Sequence, residues 1–169
     1  MVPRTGPILG VDVGGVIIQR ASNDADTSFF SGRYLSTPPV VGCTDALRAL
    51  VESPFGKNVH IVSRCGPEVA RRTREWFEHH HIFRETGIQP DQVYFTLTWA
   101  GKAAICEQLG ITHFIDDRLD VLQFLTSVPR RYLFVGGNPA DACATEVPDD
   151  ITVANTWMGL LALIRTHSR

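Results

Sequence analysis

The chain has 169 residues and a net charge of −2, and its 44% hydrophobic and 20% charged residues are typical of one soluble globular domain. The near-neutral charge argues against a general nucleic-acid-binding surface. No stretch approaches the roughly 18 consecutive apolar residues of a membrane helix, and residues 1–7 lack the apolar run of a signal peptide. We therefore predict a single cytoplasmic domain over residues 1–169 with no membrane partner.

Short apolar runs alternate with amphipathic stretches along the chain, which predicts an α/β fold built from βα units on a mostly parallel sheet. The predicted strands cover residues 8–13, 59–63, 92–96, 113–116, 131–135 and 151–153. The predicted helices cover residues 44–52, 67–80, 100–109, 118–126 and 157–166. The stretch 19–38 is rich in Ser, Asp, Thr and Gly and is too short for a cap domain. We expect it to form a flap or loop beside the site.

The four cysteines lie far apart and form no C-x-x-C pair: Cys43, Cys65, Cys106 and Cys143. Such spacing is typical of neither a zinc site nor a disulfide framework. We therefore predict reduced thiols, which agrees with a cytoplasmic location.

The first predicted strand leads directly into Asp12. A carboxylate after a run of apolar residues is costly to bury unless it is hydrogen-bonded, paired or metal-bound. Open α/β sheets bind their ligands at the carboxyl ends of such strands. Gly14 and Gly15 follow, and they let a ligand approach the backbone closely. A turn or helix-cap aspartate would give the same local pattern, so the functional interpretation depends on residues later in the chain.

Three further residues suit an anionic ligand. Ser63 ends the second predicted strand just before a helix, where a hydroxyl and the amides of the turn can bind a phosphate oxygen. The adjacent Arg64 can bind a phosphate or carboxylate through two hydrogen bonds. A serine cap and a surface salt bridge are the alternatives. Lys102 begins a predicted helix, where a cation opposes the helix dipole, which indicates a role other than helix stability.

Asp116 and Asp117 end an apolar strand, and Asp120 begins the next predicted helix. Mg²⁺ prefers oxygen ligands and is usually held by one or two carboxylates. We therefore predict a metal site at Asp116 and Asp117. For Asp120, metal binding and helix capping both remain open.

Taken in order, these residues resemble the four sequence motifs of the haloacid dehalogenase-like (HAD) hydrolase superfamily, over residues 8–135. The resemblance implies a Rossmann-like three-layer sandwich without a substantial cap domain, Mg²⁺ as cofactor and a phosphoaspartyl intermediate. In that scheme the catalytic residues are Asp12, the nucleophile, and Lys102. The phosphate-binding residues are Ser63, Arg64, Lys102 and Gly15. The metal ligands are Asp12, Gly14, Asp116 and Asp117.

The chain departs from the superfamily pattern at Gly14. Phosphatases of the superfamily have a second aspartate here, whose carbonyl binds the metal and whose side chain protonates the leaving group. Gly14 can supply the carbonyl but not the proton. General acid–base help contributes about 10²–10⁴ in rate. We therefore predict a phosphohydrolase or phosphotransferase limited to good leaving groups, acting on a phosphorylated small molecule or a macromolecular phosphoester.

Two other functions remain open on the sequence. A non-catalytic protein could bind Mg²⁺ and a phosphorylated ligand or protein partner through the same pocket, although such a scaffold would not need Asp12, Ser63, Lys102 and Asp116 together. Dehalogenation through an aspartyl ester is the third function. Enzymes of that kind need no metal and enclose a small substrate under a cap, so the adjacent acids Asp116 and Asp117 argue against it.

Overall fold

The computed structural model describes residues 6–20, 32–137 and 146–169. Six strands form one sheet in the order β3-β2-β1-β4-β5-β6, and every neighbouring pair is parallel. The strands are β1 (Leu9–Val11), β2 (Val59–Arg64), β3 (Val93–Thr96), β4 (His113–Asp116), β5 (Arg130–Phe134) and β6 (Ile151–Ala154). The predicted α/β class with a mostly parallel sheet is confirmed.

Helices connect the strands. Within the described residues they are α1 (Cys43–Leu50), α2 (Pro67–His79), α3 (Ile82–Thr86), α4 (Trp99–Leu109), α5 (Leu119–Phe124) and α6 (Trp157–His167). Short 3₁₀ turns lie at Tyr34–Ser36 and Pro90–Gln92, and a π-helical turn lies at Val51–Phe55. Helix α3 has only five residues and was not predicted from the sequence. No helix of the described ranges is long and apolar enough to cross a membrane.

Local chemistry explains several helix ends. Pro67 opens α2, where its missing amide hydrogen has no intrahelical partner to lose. The Thr98 hydroxyl accepts a hydrogen bond from the Gly101 amide and caps α4. Gly110 ends that helix in the left-handed conformation, with φ of 67°, which a residue without Cβ adopts at little cost.

The sheet is buried on both faces, so the fold has three layers. One face packs against α1, α2 and α6 through a cluster that includes Leu47, Trp76 and Trp157. The other face packs against α4 and α5 through a second cluster that includes Cys106 and Leu122. Parallel strands covered on both faces are expected to be almost continuously apolar, as β1 is, and all four residues of β4 are buried although His113 and Asp116 are polar.

The order of the strands places a switch point between β1 and β4. From β1 the chain proceeds through β2 to β3 on one side, and from β4 through β5 to β6 on the other. Ligands of open α/β sheets bind at such a point, beyond the carboxyl ends of the strands. Asp12 follows β1 and Asp116 ends β4, so both lie at this edge.

Two predictions fall partly outside the described residues. In the predicted flap, residues 21–31 are not described, and the rest contains the turn Tyr34–Ser36. Cys143 also lies outside the described ranges. Cys43, Cys65 and Cys106 are free thiols.

Candidate functional site

Asp12 lies where β1 ends and the chain turns away from the sheet. Its amide donates to the Ile115 carbonyl at 3.0 Å, which continues the pairing of β1 with β4. The next residues form a tight turn, in which the Val13 carbonyl accepts from the amides of residues 16–18. The side chain of Asp12 is only 10% exposed. This geometry holds its carboxylate at the carboxyl edge of the sheet.

Lys102 brings a buried cation to that carboxylate. Thr98 caps α4 one turn earlier, and the helix directs the lysine side chain into the protein, where it is only 3% exposed. The ammonium Nζ donates to Asp12 Oδ1 at 3.1 Å and to Asp116 Oδ2 at 2.8 Å. The unfavourable position of a lysine at a helix start therefore has a structural reason, because its charge bridges two strand ends.

Asp116 and Asp117 complete a cluster of carboxylates. Asp116 Oδ1 accepts from the Arg118 amide at 3.0 Å, which orients its second oxygen toward Lys102. Asp117 Oδ2 pairs with the Nε of Arg20 at 3.3 Å. One carboxylate oxygen from each of Asp12, Asp116 and Asp117 lies within 4.8 Å of the other two.

Burial governs the acid–base behaviour of these groups. It raises the pKa of Asp116 to about 6, and the nearby Asp12 charge adds to this effect while Lys102 opposes it. Burial and the Asp12 charge also raise the pKa of Asp117 to about 8, against the opposing charge of Arg20. Burial lowers the pKa of Lys102, but the charges of Asp12 and Asp116 outweigh it and leave that pKa above its usual value. The lysine is therefore charged at neutral pH, and its charge partly compensates the two carboxylates that it contacts.

The donor set fits a divalent cation. Asp117 Oδ1 is buried and has no hydrogen-bond partner among the described residues, although the side chain is only 6% exposed. Carboxylates bind a metal in their ionised form, and with all three ionised the single charges of Lys102 and Arg20 would leave one negative charge in the cluster. Carboxylate oxygens are the ligands that Mg²⁺ prefers. The aspartate cluster could thus hold a metal ion.

Ser63 and Arg64 end β2 beside this cluster. Ser63 is buried. Strands β1 and β2 are parallel neighbours with Val11 opposite Ile61, so Ser63 lies at the strand end next to Asp12. The exposed Arg64 instead packs its guanidinium carbon 5.8 Å from the centre of the Trp99 ring. The structure therefore places Ser63 near the carboxylates and Arg64 at the outer rim.

Two glycines are required by close packing. Gly15 has φ of +74°, and a Cβ there would collide with the Asp117 carboxylate. A Cβ at Gly137 would collide with the Gly15 carbonyl. Gly15 therefore has a structural role in admitting Asp117, beside its predicted role in phosphate binding.

Asp120 does not join the cluster. Its carboxylate pairs with the Arg118 guanidinium at 2.9 Å, and its side chain is half exposed. It also accepts from the Val121 amide at the start of α5. Of the two functions left open by the sequence, the structure supports the one in which Asp120 orders the helix start.

Arg20 is the site residue that the sequence analysis missed. It belongs to the predicted flap, whose composition gave no periodic signal. Its backbone amide donates to the Gly137 carbonyl at 3.4 Å, and its side chain reaches Asp117. The described end of the flap thus contacts the carboxylate cluster.

A comparison with solved structures relates this arrangement to known proteins. The chain is similar to a HAD family hydrolase from Deinococcus radiodurans R1, whose crystal structure contains bound phosphate and sodium. The TM-score is 0.64, and the alignment covers 95% of this chain and 96% of that chain at 15% sequence identity. The fold is HAD-like. The HAD-like fold implied by the motifs is therefore confirmed, and the small size fits a HAD-like fold with little or no cap. No family model matches the sequence, and no curated protein matches it either.

Proposed function

We propose that the protein is a Mg²⁺-dependent phosphohydrolase or phosphotransferase that works through an aspartyl phosphate on Asp12. The observation that carries this proposal is the buried bridge from Lys102 to Asp12 and Asp116, beside the unpartnered oxygen of Asp117. Replacing such a bridge by apolar side chains is often neutral or stabilising, so folding alone does not account for it. A site for a phosphoryl group and a cation does account for it.

Each residue has a distinct task in the proposed reaction. Asp12 attacks phosphorus through a carboxylate oxygen, while Lys102 neutralises charge on the phosphoryl oxygens. Ser63, at the end of β2, would donate a hydrogen bond to the same group. Asp12, Asp116, Asp117 and the Gly14 carbonyl would hold Mg²⁺, which would add positive charge at the transferred phosphoryl group. Water then attacks phosphorus and releases the Asp12 carboxylate.

Gly14 sets the range of leaving groups. It carries no proton donor, so an alkoxide leaving group would depart without general-acid help worth about 10²–10⁴ in rate. Acyl phosphates, phosphoric anhydrides and aryl phosphates need less protonation. We therefore infer that such substrates turn over and that sugar phosphates turn over slowly.

The test is hydrolysis of acetyl phosphate and para-nitrophenyl phosphate with and without Mg²⁺, by the wild type and Asp12→Asn. Asp91→Asn is the matched control, because Asp91 is an exposed carboxylate in the 3₁₀ turn before β3, at the opposite edge of the sheet. The expected result is Mg²⁺-dependent turnover that Asp12→Asn abolishes and Asp91→Asn retains. An acid-quenched reaction should also leave one phosphoryl group on the peptide containing Asp12.

Two outcomes of this experiment would contradict the proposal. Turnover that survives Asp12→Asn would exclude Asp12 as the nucleophile. A thermal shift with Mg²⁺ and phosphate, with no turnover of either compound, would favour the non-catalytic binding protein.

A further inference from the structure

Arg20 occupies the space beside Gly14. A Cβ built at Gly14 would lie 3.2 Å from both Nε and Nη2 of Arg20. The same guanidinium pairs with Asp117 Oδ2 at 3.3 Å. The space that a side chain at position 14 would occupy therefore lies next to the guanidinium of Arg20.

Arg20 also lies on the solvent side of the cluster. Its side chain is 47% exposed, whereas the side chains of Asp12, Lys102, Asp116 and Asp117 are all 10% exposed or less. In phosphoryl transfer the attacking and leaving oxygens lie roughly in line with phosphorus between them. If the buried Asp12 attacks phosphorus, the leaving group therefore departs on the solvent side of the cluster, where Arg20 lies.

We propose that Arg20 binds an anionic leaving group, and that the substrates are phosphoric anhydrides whose leaving group is a second phosphate. This inference rests on the proposed phosphohydrolase activity and names its substrate class. A guanidinium can donate two parallel hydrogen bonds to phosphate, and it remains charged at all physiological pH values. The Arg20 guanidinium can thus stabilise a leaving group that departs as an anion and needs no proton. It would take the place of a general acid, which would protonate the leaving group.

The bond changes in the step balance without another reactant. The bond between an Asp12 oxygen and the terminal phosphorus forms as the bond from that phosphorus to the bridging oxygen breaks. The bridging oxygen keeps the electron pair and leaves on the second phosphate, which carries charge at neutral pH because a phosphate group has its second pKa near about 6. Water then hydrolyses the aspartyl phosphate, and its proton passes to the released phosphate or to solvent.

A purely structural role for Arg20 makes a different prediction. If Arg20 only holds Asp117 in place, its loss impairs the metal site and lowers the turnover of every substrate by the same factor. If Arg20 binds the leaving group, the loss falls mainly on substrates that carry a second phosphate. The comparison between substrates therefore separates the two roles.

The kinetic test measures kcat/KM for pyrophosphate and para-nitrophenyl phosphate at saturating Mg²⁺ in the wild type, Arg20→Ala and Arg20→Lys. Arg84→Ala is the matched control, because Arg84 is an exposed arginine on α3 whose side chain pairs with Glu85. We expect Arg20→Ala to lower kcat/KM for pyrophosphate about 10- to 100-fold and that for the aryl ester less than about threefold, as for loss of a charged hydrogen bond. Arg20→Lys should recover part of the loss. Equal losses on both substrates, or an aryl phosphatase that does not hydrolyse pyrophosphate, would overturn the inference.

A binding measurement keeps the inference testable if no compound turns over. Calorimetry would compare methylenediphosphonate, which cannot be hydrolysed, with methylphosphonate, in the presence and absence of Mg²⁺. We expect the second phosphonate group to add affinity in the wild type and in Arg84→Ala, and to add about 10-fold less in Arg20→Ala. The same gain with and without Arg20 would overturn the inference. Absence of turnover alongside an Arg20-dependent gain would instead contradict only the proposed catalysis.

Discussion

An aspartate introduced at position 14 should act as a general acid only if Arg20 is removed as well. The Cβ of Gly14→Asp would lie 3.2 Å from two guanidinium nitrogens of Arg20, so the new carboxylate would form an ion pair with it. An adjacent arginine lowers an aspartate pKa by about 1–3 units. The carboxyl group would then be ionised at neutral pH and could not donate a proton to a leaving group.

Removing the guanidinium reverses the electrostatic balance. In Gly14→Asp/Arg20→Ala the new carboxyl group would no longer have a guanidinium beside it, and removing a neighbouring positive charge raises the pKa of an acid. A pKa difference of about 2–3 units between the single and double variants gives about 10²–10³ more of the protonated form in the double variant. We therefore expect the double variant to gain up to about 10²–10⁴ in kcat/KM on an alkyl phosphate, and the single variant to gain little.

The assay is hydrolysis of ethyl phosphate at pH 6 with Mg²⁺, with folding checked by circular dichroism. Gly14→Asn/Arg20→Ala is the matched control, because an amide of the same shape cannot act as an acid. A full gain in Gly14→Asp alone would refute the ion pair with Arg20. Equal rates in the Asp and Asn double variants, both folded, would refute the missing-acid explanation of Gly14.

Three further predictions concern stability and metal binding. Lys102→Met should abolish turnover and lower the free energy of unfolding by about 3–5 kcal/mol, because it leaves buried carboxylates unpaired; a urea titration that shows no loss would contradict the buried bridge. Asp117→Asn should abolish the Mg²⁺-induced thermal shift without lowering the stability of the metal-free protein, since it removes a buried acid whose pKa is raised to about 8; an unchanged shift would exclude Asp117 as a ligand. Burial lowers the pKa of His113 to about 4, from about 6.5 in the unfolded chain. Between these two pH values the unfolded chain binds a proton that the folded protein does not bind. The free energy of unfolding therefore falls as pH falls through this range, by up to about 3 kcal/mol. His113→Gln should have a smaller fall between pH 7.5 and 4.5 in urea titrations, and parallel curves for the two proteins would contradict this assignment.

Much of the fold could be predicted from the sequence because strands and turns leave local signals. The predicted strand at residues 113–116 coincides with β4, and β2 differs from its prediction by one residue. The first strand was predicted at residues 8–13 but ends at Val11, since Asp12 and Val13 already belong to the turn that places the carboxylate. Helix α3 left no periodic signal, because it is a single short turn that begins after His81, a non-glycine residue with φ of 55°.

In the candidate site, too, some residues could be predicted from the sequence and others could not. Asp12, Lys102 and Asp116 are associated with strand ends or a helix start, so sequence patterns could predict that they meet, and the structure brings them together. Their catalytic roles remain predictions. Arg20 could not be predicted, because its position depends on tertiary contacts. Its amide donates to the carbonyl of Gly137, which follows β5 and is distant from Arg20 in the sequence.

The two glycines after β1 lie against two side chains that form an ion pair with each other. Gly15 leaves room for the Asp117 carboxylate, and Gly14 leaves room for the Arg20 guanidinium that pairs with it. Position 14 therefore lacks a side chain at a place where the Arg20 guanidinium fills the neighbouring space. It follows that substitutions at positions 14 and 20 act on one group of contacts and should not be additive. A double-mutant cycle for Gly14→Asp and Arg20→Ala on ethyl phosphate should give a large coupling energy, whereas a cycle that pairs Gly14→Asp with Arg84→Ala should give none. Additive effects in both cycles would mean that the guanidinium is only a neighbour of Gly14, and that the two positions function independently.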